Sequence, residues 1–177
     1  MIKNSRRLIA AFKPEHYDAE INIFPETMTF KGNVKINGLK TGPPSHRITF
    51  HQQNLKIGRV SITRHNKLVD QSMTIDRVNH HRGFGEVRLH TKEQLYGGLY
   101  SISMDYQGRM NEVMKKLFYG AVRYNKKRPD VKQIESYFNC KLLPCIDEPD
   151  AKTIYELTLF LPESKIFITN DPSKKKI

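Results

Sequence analysis

Apolar side chains recur at every second position through most of this sequence, and the alternation constrains the possible folds more than any other feature. In one run, Tyr100, Ile102, Met104 and Tyr106 are separated by single polar residues. Side chains two residues apart share one face of a β-strand, so such a run can bury one face and leave the other in water. Comparable runs occupy residues 17–23, 28–36, 48–50, 55–64, 73–75, 87–89, 117–121, 155–161 and 166–168. No stretch of about 12 residues carries the apolar stripe of an amphipathic helix, so the chain is predicted to be almost entirely β.

Turn-forming residues separate these runs and divide the 177 residues into about ten short strands. That pattern predicts an antiparallel β-sandwich, or a curved saddle-like sheet, formed by a single domain over residues 13–171. Within it, Gly32 is interpreted as a bulge or kink and residues 108–112 as a hairpin turn. Helix is expected only as a short turn near residues 137–141. Residues 1–12 are interpreted as an N-terminal extension, and residues 172–177 as a basic tail or a truncated linker.

The chain is strongly basic, with 30 Lys and Arg residues against 18 Asp and Glu residues and a net charge of +12. Basic side chains bind nucleic-acid phosphates by displacing counterions, so a nucleic-acid-binding β protein is one alternative. The densest basic stretches, 123–132 and 174–176, lie in no helix-turn-helix, zinc-finger or basic heptad pattern. A solvated basic surface is the favoured interpretation, because Lys also protects sheet edges from pairing with other chains.

Neither a membrane span nor a signal peptide is recognised in the sequence. A span needs about 20 consecutive apolar residues, far more than any run here provides. The apolar residues 8–12, which follow Lys3, Arg6 and Arg7, are fewer than the roughly 7 to 15 of a signal peptide. We therefore expect a cytoplasmic protein with no membrane contact. Cys140 and Cys145 are expected to be two buried thiols, with a disulfide between them as the alternative for a secreted chain.

The sequence lacks the compact motifs of a self-sufficient catalytic site. A zinc-peptidase helix carries His-Glu-x-x-His, and none of the seven His residues fits that spacing. His80 and His81 are adjacent, so on a strand they would face opposite sides and could not readily share a metal. There is no Gly-x-Ser-x-Gly elbow, no phosphate-binding glycine loop and no evident His partner for Cys145. We expect this polypeptide alone to bind no metal and to catalyse no reaction.

One segment, residues 133–149, departs from the two-residue alternation and is specific enough to suggest a family. It begins with Gln133-Ile134-Glu135 and ends with Pro144-Cys145-Ile146-Asp147-Glu148-Pro149. In order and spacing it resembles the block that ends in Pro-Cys-x-Asp-Glu-Pro in the zinc aminopeptidases of the aminopeptidase N family. Residues 14–18 (Pro-Glu-His-Tyr-Asp) and 30–34 (Phe-Lys-Gly-Asn-Val) resemble earlier stretches of the same family. The resemblance extends over roughly residues 12–171, in the family's order.

The sequence also departs from the family pattern. Leu143 stands where the family usually has Phe, and Cys140-Lys141 replace two common arginines. The family's Gly-x-Met-Glu-Asn loop and His-Glu-x-x-His helix are missing, and in the family both lie in the domain that follows. The resemblance therefore implies the N-terminal domain of a zinc aminopeptidase, with the zinc held in a catalytic domain that is absent from this chain. A fragment of a longer enzyme is expected rather than a free-standing protein.

The resemblance further implies roles for individual residues. Glu135 would bind the free α-ammonium group of a peptide, because a charge-assisted hydrogen bond is short and directional. Gln133 would line the pocket for the first side chain. Structural roles, with the two carboxylates accepting backbone hydrogen bonds, are expected for Pro144, Cys145, Asp147, Glu148 and Pro149. The partners would be peptide N-termini and the enzyme's own catalytic domain. A non-catalytic β-sandwich interaction module is the second alternative.

Overall fold

The computed structural model describes residues 7–111, 114, 140–162 and 164–169, and these form two packed β-sheets. The described strands are β1 (Phe12–Phe24), β2 (Thr29–Lys40), β3 (Ser45–His51), β4 (Lys56–His65), β5 (Gln71–Met73), β6 (Ile75–His81), β7 (Glu86–Leu95), β8 (Gly98–Arg109), β9 (Ile154–Leu161) and β10 (Ser164–Thr169). Short 3-10 turns lie at Leu8–Ala10 and Arg82–Phe84. The predicted all-β sandwich is confirmed.

Among the described strands, seven form the larger sheet in the order β10-β9-β1-β2-β8-β4-β5, and three form the smaller in the order β3-β7-β6. Neighbouring strands are antiparallel except for β1 and β9, which pair in parallel from His16 opposite Ile154 to Asn22 opposite Phe160. Parallel neighbours require a long connection, and strands β2 to β8 lie between these two in the chain. This one parallel pair is a departure from the antiparallel sheet that the sequence predicted.

The two-residue alternation sets which side chains form the core. Tyr100, Ile102, Met104 and Tyr106 of β8 are all buried. The corresponding residues of β1 are buried as well: Tyr17, Ala19, Ile21 and Ile23. Removing such side chains from water is the main favourable contribution to folding.

The smaller sheet covers the apolar face of the larger one. Apolar residues of β3 and β7 belong to the same buried cluster as those of β1, β2 and β8: Ile48, Phe50, Val87 and Leu89. At one end of this interface the rings of Phe12 and Phe50 meet edge to face, with centroids 5.7 Å apart. Aromatic rings favour this arrangement because the positive edge of one faces the negative face of the other.

Gly32 is not a bulge, so that part of the prediction is wrong. It pairs in regular register with Ile21 of β1 and with Tyr106 of β8, and the register shift between β1 and β2 lies instead between Pro14 and His16. The Tyr106 side chain lies over Gly32, where an added Cβ would come within 2.6 Å of its Cζ and Oη atoms. The glycine is required by the close approach of a ring, which is another reason for glycine inside a strand.

The hairpin turn predicted at residues 108–112 is wrong for its first two residues. Gly108 and Arg109 lie in β8, opposite Phe30 and Thr29 of β2. An added Cβ on Gly108 would lie 2.5 Å from Cζ of Phe30, so this glycine also makes room for a ring. The backbone N–H of Met110 donates to the carbonyl of Met28 at 2.8 Å and continues the hydrogen bonding past the end of the strand.

Several predicted features lie outside the described residues. These are the strand at 117–121, most of the helical turn at 137–141 and the basic stretches at 123–132 and 174–176. The last part of that turn, beginning at Cys140 with a φ of 56°, is a tight turn. No helix among the described residues is both long and apolar enough to cross a bilayer.

Candidate functional site

Residues 140–151, here called the motif loop, are largely buried at their N-terminal end although they form no strand or helix. Cys140 and residues 142–146 are buried, whereas Lys141 between them is exposed. Buried backbone N–H and C=O groups need hydrogen-bond partners. The partners of this loop therefore decide how it is held against the sandwich.

The end of β3 provides the first set of partners. His51 and Cys145 pair as an isolated antiparallel bridge. The backbone N–H of His51 donates to the carbonyl of Cys145 with an N to O distance of 2.8 Å, and the N–H of Cys145 donates to the carbonyl of His51 at 3.1 Å. Two residues further on, the N–H of Gln53 donates to the carbonyl of Cys140 at 2.5 Å. Both cysteines of the loop are thus fixed by their backbones to the same short stretch of chain.

Tyr17 of β1 provides a second, buried partner. Its hydroxyl oxygen accepts a hydrogen bond from the backbone N–H of Ile146 at 3.0 Å, across 129 positions of sequence. The Tyr17 ring is fully buried and stacks on Tyr155 of β9 with a centroid distance of 4.7 Å and an interplanar angle of 7°. Burial raises the pKa of Tyr17 well above its usual value, so the hydroxyl stays protonated and the contact stays neutral.

The carboxylate-bearing half of the loop uses different contacts. The N–H of Asp147 donates to Nδ1 of His51 at 3.1 Å, and the Asp147 side chain itself is exposed. Glu148 Oε1 accepts the backbone N–H of Leu8 at 2.5 Å, and its Oε2 lies 3.5 Å from Nε of Arg7. Arg7 also pairs with Asp150. Residues 7 and 8, just before β1, are therefore tied to the end of the motif loop.

The two cysteines face each other inside the loop. Their Sγ atoms are 2.7 Å apart, and both residues are buried as free thiols. The hydrogen bond with Cys145 and, as the second cause, burial raise the pKa of Cys140 far above its usual value. A thiol in this state is a poor nucleophile, because the thiolate is the reactive form.

Of the predicted site residues, the structure describes only the later ones. Pro144 and Cys145 are buried, the Glu148 side chain is mostly buried, and Asp147 and Pro149 are exposed. Gln133 and Glu135 lie outside the described residues, so their roles stay predictions. Within the described part of the chain, no group of three or more His, Cys, Asp and Glu residues is arranged to hold a metal ion.

Sequence reasoning missed four residues that contact the loop: Arg7, Leu8, His51 and Gln53. Nothing near His51 in the sequence marks it as a partner of Asp147. Tyr17 could have been found, because it lies in the stretch 14–18 that the family resemblance singled out. The structure shows that this stretch and the Pro-Cys-x-Asp-Glu-Pro segment meet through the bond from Ile146 to Tyr17.

Comparison with known proteins gives a consistent result over nearly the whole chain. Residues 13–176 match the model of the peptidase M1 N-terminal domain family. The chain is 28% identical to an aminopeptidase N of Lactococcus lactis subsp. lactis over 162 residues, which is 90% of this chain and 17% of the relative. It is 26% identical to human endoplasmic reticulum aminopeptidase 1 over 182 aligned positions, which is 98% of this chain and 19% of the relative. The chain thus spans less than a fifth of the length of these curated relatives.

Proposed function

The chain belongs to the peptidase M1 N-terminal domain family, and from this we propose that it is the substrate-anchoring domain of a zinc-dependent aminopeptidase that removes N-terminal residues from peptides. Two of its relatives carry names of aminopeptidases, which are hydrolases. The proposed ligands are peptide N-termini, and the proposed partner is the catalytic domain of the same enzyme. The cytoplasmic location stays a prediction.

The described residues do not fit a zinc site, since no cluster of suitable ligands occurs among them. Catalytic zinc is ordinarily held by three protein ligands and keeps one open position. We therefore assign the metal and the general base to another domain, and no step of peptide hydrolysis to the residues described above. The proposed contribution of this chain is to hold the substrate in position.

The observation that best supports the anchoring role is the way the motif loop is held. Its backbone is bonded to β1 through Tyr17, to the chain after β3 through Gln53, and to His51. Glu135 precedes Cys140 by five positions in the sequence. A carboxylate that is close in sequence to a firmly held loop can be positioned accurately, and binding a small ammonium group demands accurate positioning.

The substrate would be oriented by its charge. The ammonium of an unblocked peptide would donate to the Glu135 carboxylate, and Gln133 would contact the first side chain. Such a hydrogen bond to a charged group contributes about 1.5 to 3 kcal/mol. Because the bond fixes one end of the peptide, it would place the first peptide bond at a constant distance from the metal.

The test is Glu135→Gln in the intact enzyme that contains this domain, assayed on aminoacyl substrates with a free amine. We expect kcat/KM to fall roughly 10- to 100-fold, as the free-energy loss above implies, with thermal unfolding unchanged. The matched control is Glu26→Gln, an exposed carboxylate in the turn between β1 and β2, which should leave kcat/KM unaltered. Equal values for wild type and Glu135→Gln would refute the anchoring role. An intact wild-type protein without aminopeptidase activity would favour the interaction module.

A further inference from the structure

The two sulfur atoms of the motif loop lie in direct contact. Cys140 Sγ and Cys145 Sγ lie 2.7 Å apart, well inside the roughly 3.5 to 4.0 Å at which even non-bonded carbon atoms, which are smaller than sulfur, pack best. These are the two cysteines of the whole sequence, so neither has another thiol partner in the chain. We propose that Cys140 and Cys145 form an intrachain disulfide that closes the base of the motif loop.

The backbone already holds both cysteines in position for this bond. The carbonyl of Cys140 accepts from Gln53, and both backbone groups of Cys145 bond to His51. Cys140 has a φ of 56°, a left-handed conformation that turns the chain sharply between the two residues. A disulfide forms only where the two Cβ atoms are close and face each other. Because the sulfurs already meet, closing the six-residue ring calls for little movement of the backbone.

The oxidant we assign is a small-molecule disulfide, with oxidised glutathione as the probe. One cysteine thiolate attacks a glutathione sulfur, which forms a mixed disulfide and releases one glutathione. The second cysteine sulfur then attacks the protein-side sulfur of that mixed disulfide and releases the second glutathione. The two cysteines lose two electrons and two protons, and the glutathione disulfide takes them up as two thiols.

Burial sets when this exchange can occur. Both cysteines are buried, and the raised pKa of Cys140 keeps that thiol protonated in the folded chain. Exchange is therefore expected to be slow once the loop has packed and fast while the chain is folding. The same burial should protect the finished disulfide from reductants in solution.

The experiment follows the two thiols during refolding of the 177-residue chain. Reduced, denatured protein is refolded in a mixture of reduced and oxidised glutathione, then unfolded and alkylated with N-ethylmaleimide, and its intact mass is measured. The expected product is a monomer that carries no maleimide and is lighter than the reduced chain by two hydrogen atoms. Treatment with dithiothreitol in denaturant should restore two alkylation sites. A chain that still takes up two maleimides, or whose oxidised forms are only glutathione adducts or dimers, would overturn the proposal.

Two controls separate the effect of the fold from that of the short spacing. The first exposes the same chain to the same glutathione mixture while it stays in denaturant. We expect a smaller disulfide fraction there, and an equal fraction would mean that the folded geometry gives no advantage. The second adds dithiothreitol to the oxidised protein without denaturant. The disulfide should then persist far longer than in denaturant, and equal rates of reduction would contradict its burial in the loop.

Discussion

The large sheet and the motif loop are both well buried, but they satisfy their backbone groups in different ways. Strands β2 and β8 pair in unbroken register from Thr29 opposite Arg109 to Lys40 opposite Gly98. In the motif loop, by contrast, the backbone groups of Cys140, Cys145, Ile146 and Asp147 bond one by one to scattered partners. Two of these partners are side chains, Tyr17 and His51. In a row of backbone hydrogen bonds between two strands, the loss of one bond leaves the neighbouring bonds to hold the strands together. A loop held by single contacts depends on each of them.

This difference separates two sources of stability. The sheet depends on apolar area, so the shape and size of its core side chains should matter most. The loop depends on individual polar atoms, so a change that removes one oxygen should matter there even when the volume is conserved. Variants that change only one of these quantities can test whether the two regions differ in this way.

The largest effect is expected from Phe30→Ala in the sheet core. Phe30 of β2 is fully buried and meets Tyr106 edge to face with ring centroids 6.4 Å apart. Truncating a buried Phe to Ala typically costs about 3 to 5 kcal/mol, through lost burial and the cavity left behind. Urea unfolding at equilibrium measures the loss. Phe84→Ala is the control, since that ring is 63% exposed, and should change the free energy of unfolding by less than about 0.5 kcal/mol. Similar losses for both variants would contradict the description of the core.

Alkaline pH should have the next largest effect, because two tyrosines, Tyr17 and Tyr106, are buried in the core. Burial raises the pKa of Tyr17 and of Tyr106 above the ordinary value of 10.0. Below pH 10 these hydroxyls are protonated in both states and stability is independent of them. Above it the unfolded chain loses protons that the folded chain keeps, so stability falls as pH rises. Each group contributes up to roughly 1.4 kcal/mol per pH unit in that range.

Lysines also titrate in this range, so the measurement needs a comparison of variants. Urea unfolding of wild type and Tyr106→Phe, from about pH 8 to pH 11, isolates the contribution of one tyrosine. The variant should lose stability less steeply above pH 10 than wild type does. Parallel curves would show that the Tyr106 hydroxyl titrates in the folded state much as it does in the unfolded one.

The sheet could be predicted from sequence because its signal is local. In β8 the four alternating residues from Tyr100 to Tyr106 are all buried in the core. Their burial can be predicted from the alternation alone, without knowledge of the neighbouring strands. The pairing of β1 with β9 left no such local signal, since it joins segments more than 130 positions apart. The glycines were misread for a related reason. From sequence, Gly32 is interpreted as a bulge or kink and Gly108 as part of a turn, whereas each makes room for a ring from the adjacent strand.

The sequence of the motif loop indicated a family, but it did not predict the contacts that hold the loop. The order of Pro144, Cys145, Asp147 and Glu148 indicated a family, and the match over residues 13–176 bears out that recognition. Apart from Tyr17, which lies in the stretch 14–18 that also resembles the family, its contacts could not be predicted, because the partners His51 and Leu8 are distant in sequence and are ordinary residues in their own segments. The bond from Asp147 N–H to His51 Nδ1 depends on where β3 ends, which no pattern within the loop encodes.

The smallest effect, and the most direct test of the comparison, comes from removing one oxygen atom at two buried tyrosines. Tyr17→Phe keeps the ring but leaves the buried N–H of Ile146 without its acceptor, which should cost about 1 to 3 kcal/mol. Tyr106→Phe removes a hydroxyl that is buried and has no hydrogen-bond partner within the described chain. At neutral pH that change should be neutral or slightly stabilising, because it removes the penalty of burying an unpaired polar group. Urea unfolding gives both free energies, and hydrogen exchange at the Ile146 amide should accelerate only in Tyr17→Phe. Equal losses in the two variants, with Ile146 equally protected, would mean that the loop is held by ring packing like the sheet and that the Tyr17 hydroxyl contributes nothing of its own.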